Sequence, residues 1–236
     1  MTTTNQIMVE LQDWLGDDRS ISESAWTSST TYQGKKKKTD EDVVRIVKEL
    51  ASSGHGVPFE SVIFRFWIRM PIFTDRQHMT HRIASQNGMS GRYRTMPDEW
   101  YAIPQDVVDI FNKTYGSDEL VTWEIDWEYN NLCHTTNDFY RHKLEYLKLH
   151  EKEGKITNAE YKRAREVLRG VLPQANMTER TCIMNLRSFA NYQKQRNDSH
   201  AQPEIRLVAE QMLKQVEDNN ICPIAIESLK AKDWVI

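Results

Sequence analysis

The clearest periodic signal lies at residues 61–70. Val62, Phe64, Phe66, Ile68 and Met70 alternate with positions that include Arg65 and Arg69. Successive side chains of a strand point to opposite faces, so this spacing predicts a strand with one apolar face. Pro71 ends it and opens a short helix carrying Arg76 and Gln77. Helical spacing takes over at Val43, Val44, Ile46, Val47 and Leu50, with Thr39 as the cap and Gly54 as the stop. Residues 104–153 read as helical with a break near Gly116 and Ser117, and Trp123, Trp127, Tyr140, Leu144 and Leu147 are assigned to packing. Thr157 and Glu160 form a capping box that opens a helix to about Leu168, and Leu172-Pro173 breaks it. Residues 178–186 fit a second strand, and a helix is expected from about Arg187 to Asn197. After a turn at Asp198-Ser199-His200, Pro203 starts a helix whose Ile205, Val208, Ala209, Met212 and Val216 share one face. Residues 1–33 are mixed and Ser/Thr-rich, with one turn signal at Gly16-Asp17-Asp18. The expected fold class is α+β: many helices around a small sheet, without a βαβ rhythm.

Composition narrows the class. A chain of 236 residues can bury a substantial core as a single domain. A net charge of −3 argues against a polyanion binder acting through overall charge, so positive charge must act locally. The run Lys35 to Lys38 reads as a solvated loop, with nucleic-acid contact as the alternative. No apolar run approaches the roughly 20 residues of a membrane helix, and the N-terminus lacks a signal-peptide layout. Cys133, Cys182 and Cys222 have neither metal-type spacing nor the look of a disulfide framework. The expectation is a soluble cytoplasmic protein with no metal, no membrane partner and no nucleic-acid partner.

Two segments concentrate chemistry. Residues 76–93 contain Arg76, His78, His81, Arg82, Asn87, Gly88, Ser90, Gly91 and Arg92. Guanidinium groups make forked bonds to phosphate, and glycine lets a ligand approach the backbone. The spacing of Gly88 and Gly91 matches neither a dinucleotide fingerprint nor a P-loop. Two readings fit: an anionic small-ligand site, or a polar turn whose arginines pair with surface carboxylates. The second segment holds Asn185, Arg187, Asn191, Arg196 and His200, and Arg187 and Asn191 fall on one helical face. It reads either as a site or as a solvated helix face.

These residues carry a resemblance. His55-Gly56-Val57-Pro58-Phe59-Glu60, Pro71-Ile72-Phe73, Arg76-Gln77, His81-Arg82-Ile83-Ala84-Ser85, Asn87 and Ser90-Gly91-Arg92-Tyr93 resemble the flavin-dependent thymidylate synthases. So do Ala164-Arg165-Glu166-Val167, Arg169, Leu172-Pro173, Asn185, Arg187-Ser188, and Arg196 with Asp198-Ser199-His200-Ala201-Gln202. The match covers roughly residues 10–101 and 160–230. The resemblance implies one domain, residues 1–236, with a small antiparallel sheet flanked by helices and a helical insertion at about 102–158. It implies reductive methylation of dUMP to dTMP with FAD, taking carbon from methylenetetrahydrofolate and reducing power from NADPH. It also implies a homotetramer with active sites at subunit interfaces. Ser28, His81, Arg82, Ile83, Asn185, Arg187 and Asn191 would hold FAD, with His55 and His200 beside it and Glu60 near. Gln77, Ser90, Gly91, Arg92 and Arg169 would hold dUMP, and Arg196 would face the pyrimidine as the catalytic residue.

The chain departs from the family pattern at several positions. Thr80 stands where the family has the first arginine of Arg-His-Arg, and Gly88 where a glutamate follows the asparagine. Val57 replaces a usual threonine, and Trp26 an arginine, as a possible ring-stacking partner. Three readings remain: an active synthase with a remodelled site, a related flavoenzyme such as a dUMP hydroxymethylase, or an inactive flavin- and nucleotide-binding homologue.

Overall fold

The computed structural model describes residues 2–115 and 119–235, without the side chains of Thr2, Tyr115 and residues 119–124. In chain order the elements are β1 (Thr2–Thr4), β2 (Met8–Leu15), α1 (Asp18–Trp26), α2 (Tyr32–Lys35), α3 (Asp40–Ser53), β3 (Ile63–Pro71), α4 (Ile72–His78), β4 (Ser85–Gly88) and β5 (Glu99–Tyr101). They continue with α5 (Gln105–Tyr115), α6 (Glu119–Lys152), α7 (Asn158–Leu168), β6 (Met177–Asn185), α8 (Leu186–Arg196), α9 (Pro203–Asp218) and α10 (Pro223–Lys230). The class is α+β. These elements form two compact units, each assembled from separate stretches of chain.

The sheet unit comprises residues 7–69, 76–87 and 179–236. Its sheet has the order β2-β3-β6-β4, and β2 runs antiparallel to β3 with an irregularity between Leu11 and Asp13. The predicted alternation holds: Val62, Phe64, Phe66 and Ile68 are fully buried. Phe64 and Phe66 pack on Phe189 of α8, with ring centroids 5.2 and 6.2 Å apart. The predicted face of α9 is buried as well, at Ile205, Val208, Ala209, Met212 and Val216. Thr39 caps α3 in a capping box, and Gly54 ends it with φ of 72°, a left-handed conformation that suits glycine.

The N-terminal stretch, where the residue pattern offered a turn signal and no element, holds β2 and α1. Gly16 turns the chain at φ of 90°, and Asp17 caps α1 in a capping box. Two glutamines of α9 reach the backbone of β2: Gln211 Oε1 accepts from Val9 N at 3.1 Å and Gln215 Oε1 from Leu11 N at 2.5 Å. A strand that ends a sheet needs such partners for its unpaired groups. The buried carboxylate of Asp18 accepts from Ile224 N and Ala225 N, which satisfies the start of α10. Trp26 is buried with the Lys38 ammonium 5.6 Å from its ring, so it serves packing here and offers no open face for a ligand ring. Around Lys35 to Lys38, a helical turn precedes the loop.

The helical unit comprises residues 1–6, 70–75 and 88–178. In it β1 pairs with β5 in parallel. Asn137 and Asn176 exchange hydrogen bonds of 2.8 and 3.0 Å in the interior, so each buried amide finds a partner. The expected break at Gly116 and Ser117 lies outside the described residues, as does the side chain of Trp123. Tyr140 and Leu144 are buried as expected, whereas Trp127 is 59% exposed. It lies on α6, a helix of about 50 Å. The capping box at Thr157 and Glu160 opens α7 as predicted. Among the described residues no helix is long and apolar enough to cross a membrane.

Candidate active site

In the sheet unit, a cleft of about 810 Å³ opens beside α8 and the turn that follows α4. That size lies within the range of cofactor sites. His81, Arg82, Ile83, Asn185, Arg187 and Asn191 line it, together with Ser188, Lys194, Trp234 and Glu60. Strand β6 delivers Asn185 to the start of α8, where its side chain accepts from Ser188 N at 2.8 Å. The first turn of α8 therefore meets the cleft with its partial positive charge. Arg187 and Asn191 follow one helical turn apart, and Lys194 continues that face, which extending the same spacing would have found. Arg187 Nη1 donates to Glu60 Oε1 at 2.7 Å, so a charged pair borders the cleft. The cations suit a phosphate-bearing group, and Ile83, Met184 and Trp234 suit a flat apolar ring. This donor set fits FAD. Ile83 is 75% exposed at the rim of the cleft.

Ser28, His55 and His200 do not line this cleft. Ser28 donates to Ala25 O at the end of α1, and the exposed His55 follows the C-cap of α3. His200 has a side chain 94% exposed and lies 2.9 Å from Asp198 Oδ1.

Arg196, at the end of α8, is held by uncharged acceptors. Its Nε donates to His81 Nε2 at 2.9 Å. Its Nη2 donates to Thr80 Oγ1 at 2.9 Å and to Gln77 O at 3.4 Å. The contact makes Nε2 of His81 the acceptor, which leaves the ring proton on Nδ1. Burial and the Arg196 charge hold His81 down to about 4, so the ring is neutral near pH 7. Its ring lies 4.6 Å from that of Tyr192, whose hydroxyl is 2.9 Å from His78 Nδ1. Burial, aided by Arg180, His81 and Arg196, holds His78 down to about 3. The Gln77 amide bonds to the side chain of Gln202.

The other predicted nucleotide residues gather in the helical unit. Arg92 Nε donates to Glu166 Oε1 at 2.8 Å, so α7 supplies a carboxylate to this arginine. The buried Arg165 donates to the Arg92 carbonyl, and Arg169 Nε donates to Glu166 O at 3.2 Å. Gly91 lies against the stem of Arg169: a Cβ there would sit 2.8 Å from Arg169 Cδ. Ser90 Oγ accepts from Arg92 N at 3.3 Å, closing a tight turn. The result is a cationic corner built from residues more than seventy positions apart. Glu166 was the partner that sequence reasoning missed, and its place beside Arg165 in the quoted motif was the available signal.

The cleft beside α8 and the corner around Arg92 and Arg169 both present cationic side chains suited to phosphate-bearing ligands. A solved structure of the UMP/dUMP methylase PolB from Streptomyces cacaoi bound with 5-Br dUMP shares the fold, with a TM-score of 0.78, 24% identity, and coverage of 100% of this chain and 99% of that one. The same protein bound with 5-Br UMP matches with a TM-score of 0.73, 25% identity, and coverage of 99% and 97%. The flavin-dependent thymidylate synthase of Kosmotoga olearia is 34% identical over 231 residues, covering 93% of this chain and 88% of the relative. That of Thermotoga neapolitana is 33% identical over 220 residues, covering 93% and 89%. The family model described as thymidylate synthase complementing protein matches residues 10–224, and the chain belongs to that family.

Proposed function

We propose that the protein catalyses the flavin-dependent reductive methylation of dUMP to dTMP. Methylenetetrahydrofolate supplies the carbon and NADPH the reducing equivalents. The observation that carries this reading is Arg196: its partners at His81, Thr80 and Gln77 are uncharged, so its positive charge remains available to a ligand. Activating a uracil ring places negative charge on N3 and the neighbouring carbonyl oxygens, and a prepositioned guanidinium stabilises that charge without reorganisation. FAD, when bound, carries the hydride chemistry that no side chain here supplies. Arg187, Asn191, His81, Arg82, Ile83 and Asn185 hold it in the cleft. Ser90, Gly91, Arg92, Arg169 and Gln77 hold dUMP, with the arginines on its phosphate. None of the three buried cysteines is required as a nucleophile.

The assembly in this reading is a homotetramer, and Ser28, His55 and His200 meet a flavin carried by another subunit. One observation supports self-association: exposed Leu132, Phe139 and Tyr146 recur at seven-residue spacing along α6. We further read residues 1–236 as one catalytic domain of the cytoplasm, with 102–158 as its helical insertion.

The test is incubation with FAD, NADPH, methylenetetrahydrofolate and labelled dUMP, followed by mass identification of the nucleotide. dTMP is expected, and Arg196→Ala abolishes its formation while FAD still binds. A hydroxymethylated nucleotide identifies a related flavoenzyme instead. No product despite bound flavin and nucleotide identifies an inactive homologue.

A further inference from the structure

We propose that Thr80 is a positioning residue that holds Arg196 at the pyrimidine; this rests on the nucleotide reading given above. Thr80 follows α4 and stands where the family carries an arginine. Its hydroxyl donates to the Gln77 carbonyl at 2.7 Å, which fixes the proton and turns the oxygen lone pairs outward. Arg196 Nη2 donates to that oxygen at 2.9 Å, while Nε is bound by His81 at 2.9 Å. These acceptors, with the Gln77 carbonyl 3.4 Å from Nη2, lie on one edge of the guanidinium, fix its plane and leave Nη1 without a hydrogen bond among the described residues. His81 is held in turn against Tyr192, so the clamp on Arg196 has a rigid base. An arginine at position 80 has no acceptor to offer the Arg196 guanidinium. Thr80 therefore replaces a ligand-facing charge with a neutral acceptor that supports a different arginine.

The experiment compares wild type with Thr80→Val, Thr80→Ser and Thr80→Arg, all as the flavin-loaded enzyme. Loss of one bond to a charged group is expected to lower kcat about tenfold in Thr80→Val, with KM for dUMP changed much less. Serine keeps the hydroxyl and restores kcat. Thr80→Arg lowers kcat rather than raising it. A second readout needs no turnover: NMR titration of His81, held down to about 4 by burial and Arg196. In Thr80→Val the guanidinium loosens and the His81 pKa rises; in Thr80→Ser it stays. If wild type makes no dTMP, the proposed function fails, yet a valine shift rescued by serine still supports the clamp. Unchanged kcat in an active valine variant, or an unmoved His81, overturns it.

Discussion

Acid should destabilise this protein through His78, and the size of the effect follows from the geometry. His78 is fully buried against Tyr192, and its Nε2 has no hydrogen-bond partner among the described residues. Burial first, then Arg180, His81 and Arg196, lower its pKa from 6.5 to about 3. In the unfolded chain the imidazole takes up a proton as pH falls below about 6.5. In the folded protein it stays neutral down to about pH 3. Between those values the unfolded state binds more protons, so stability falls as pH falls. The slope is at most about 1.4 kcal/mol per pH unit, and integration from about pH 7 to about pH 5 gives a loss of ~2 kcal/mol from this group alone. His78→Asn sets an amide nitrogen close to where Nδ1 lies and removes the titration. Urea unfolding at both pH values, at one protein concentration, measures the difference. Wild type is expected to lose ~2 kcal/mol more than the asparagine variant between the two conditions. Equal losses would show that His78 is protonated in the native state and would refute the reasoning.

Gly91→Ala should weaken dUMP binding about tenfold, because an added Cβ presses on the Arg169 stem from 2.8 Å and on Met96 Sδ from 3.2 Å. Equilibrium dialysis measures it, and unchanged affinity would remove Arg169 from the nucleotide site. All three cysteines are free and buried, and burial pushes Cys133 up to about 11 and Cys182 up to about 12. An aromatic disulfide reagent near neutral pH should label none promptly in the native protein and all three after unfolding. Prompt native labelling would contradict their burial.

Much of the architecture was legible because it rests on short-range rules. The alternation of Val62 through Met70, the cap and stop at Thr39 and Gly54, and the capping box at Thr157 each depend on residues within four positions of one another, or on a strict period. The face shared by Arg187 and Asn191 was legible for the same reason. Strand β2 was not: only Val9 of Met8–Leu15 is buried, so no alternation marks it. Its extended form depends on pairing with β3 and on glutamines of α9 some two hundred positions away. Trp127 misled in the opposite direction, since an aromatic side chain says nothing about which side of a long helix is covered.

The amino-acid pattern alone therefore established β3, α3, α7, β6, α8 and α9, and which arginines, histidines and glycines form the family motif. It marked Thr80 as a departure from the family pattern without showing what its hydroxyl meets. Folding puts Arg196, 116 positions later, against that hydroxyl, and likewise puts Glu166 against Arg92 across 74 positions. Spacing encodes neither contact, because a polar side chain presents the same chemistry to water as to a distant partner until packing brings the two together.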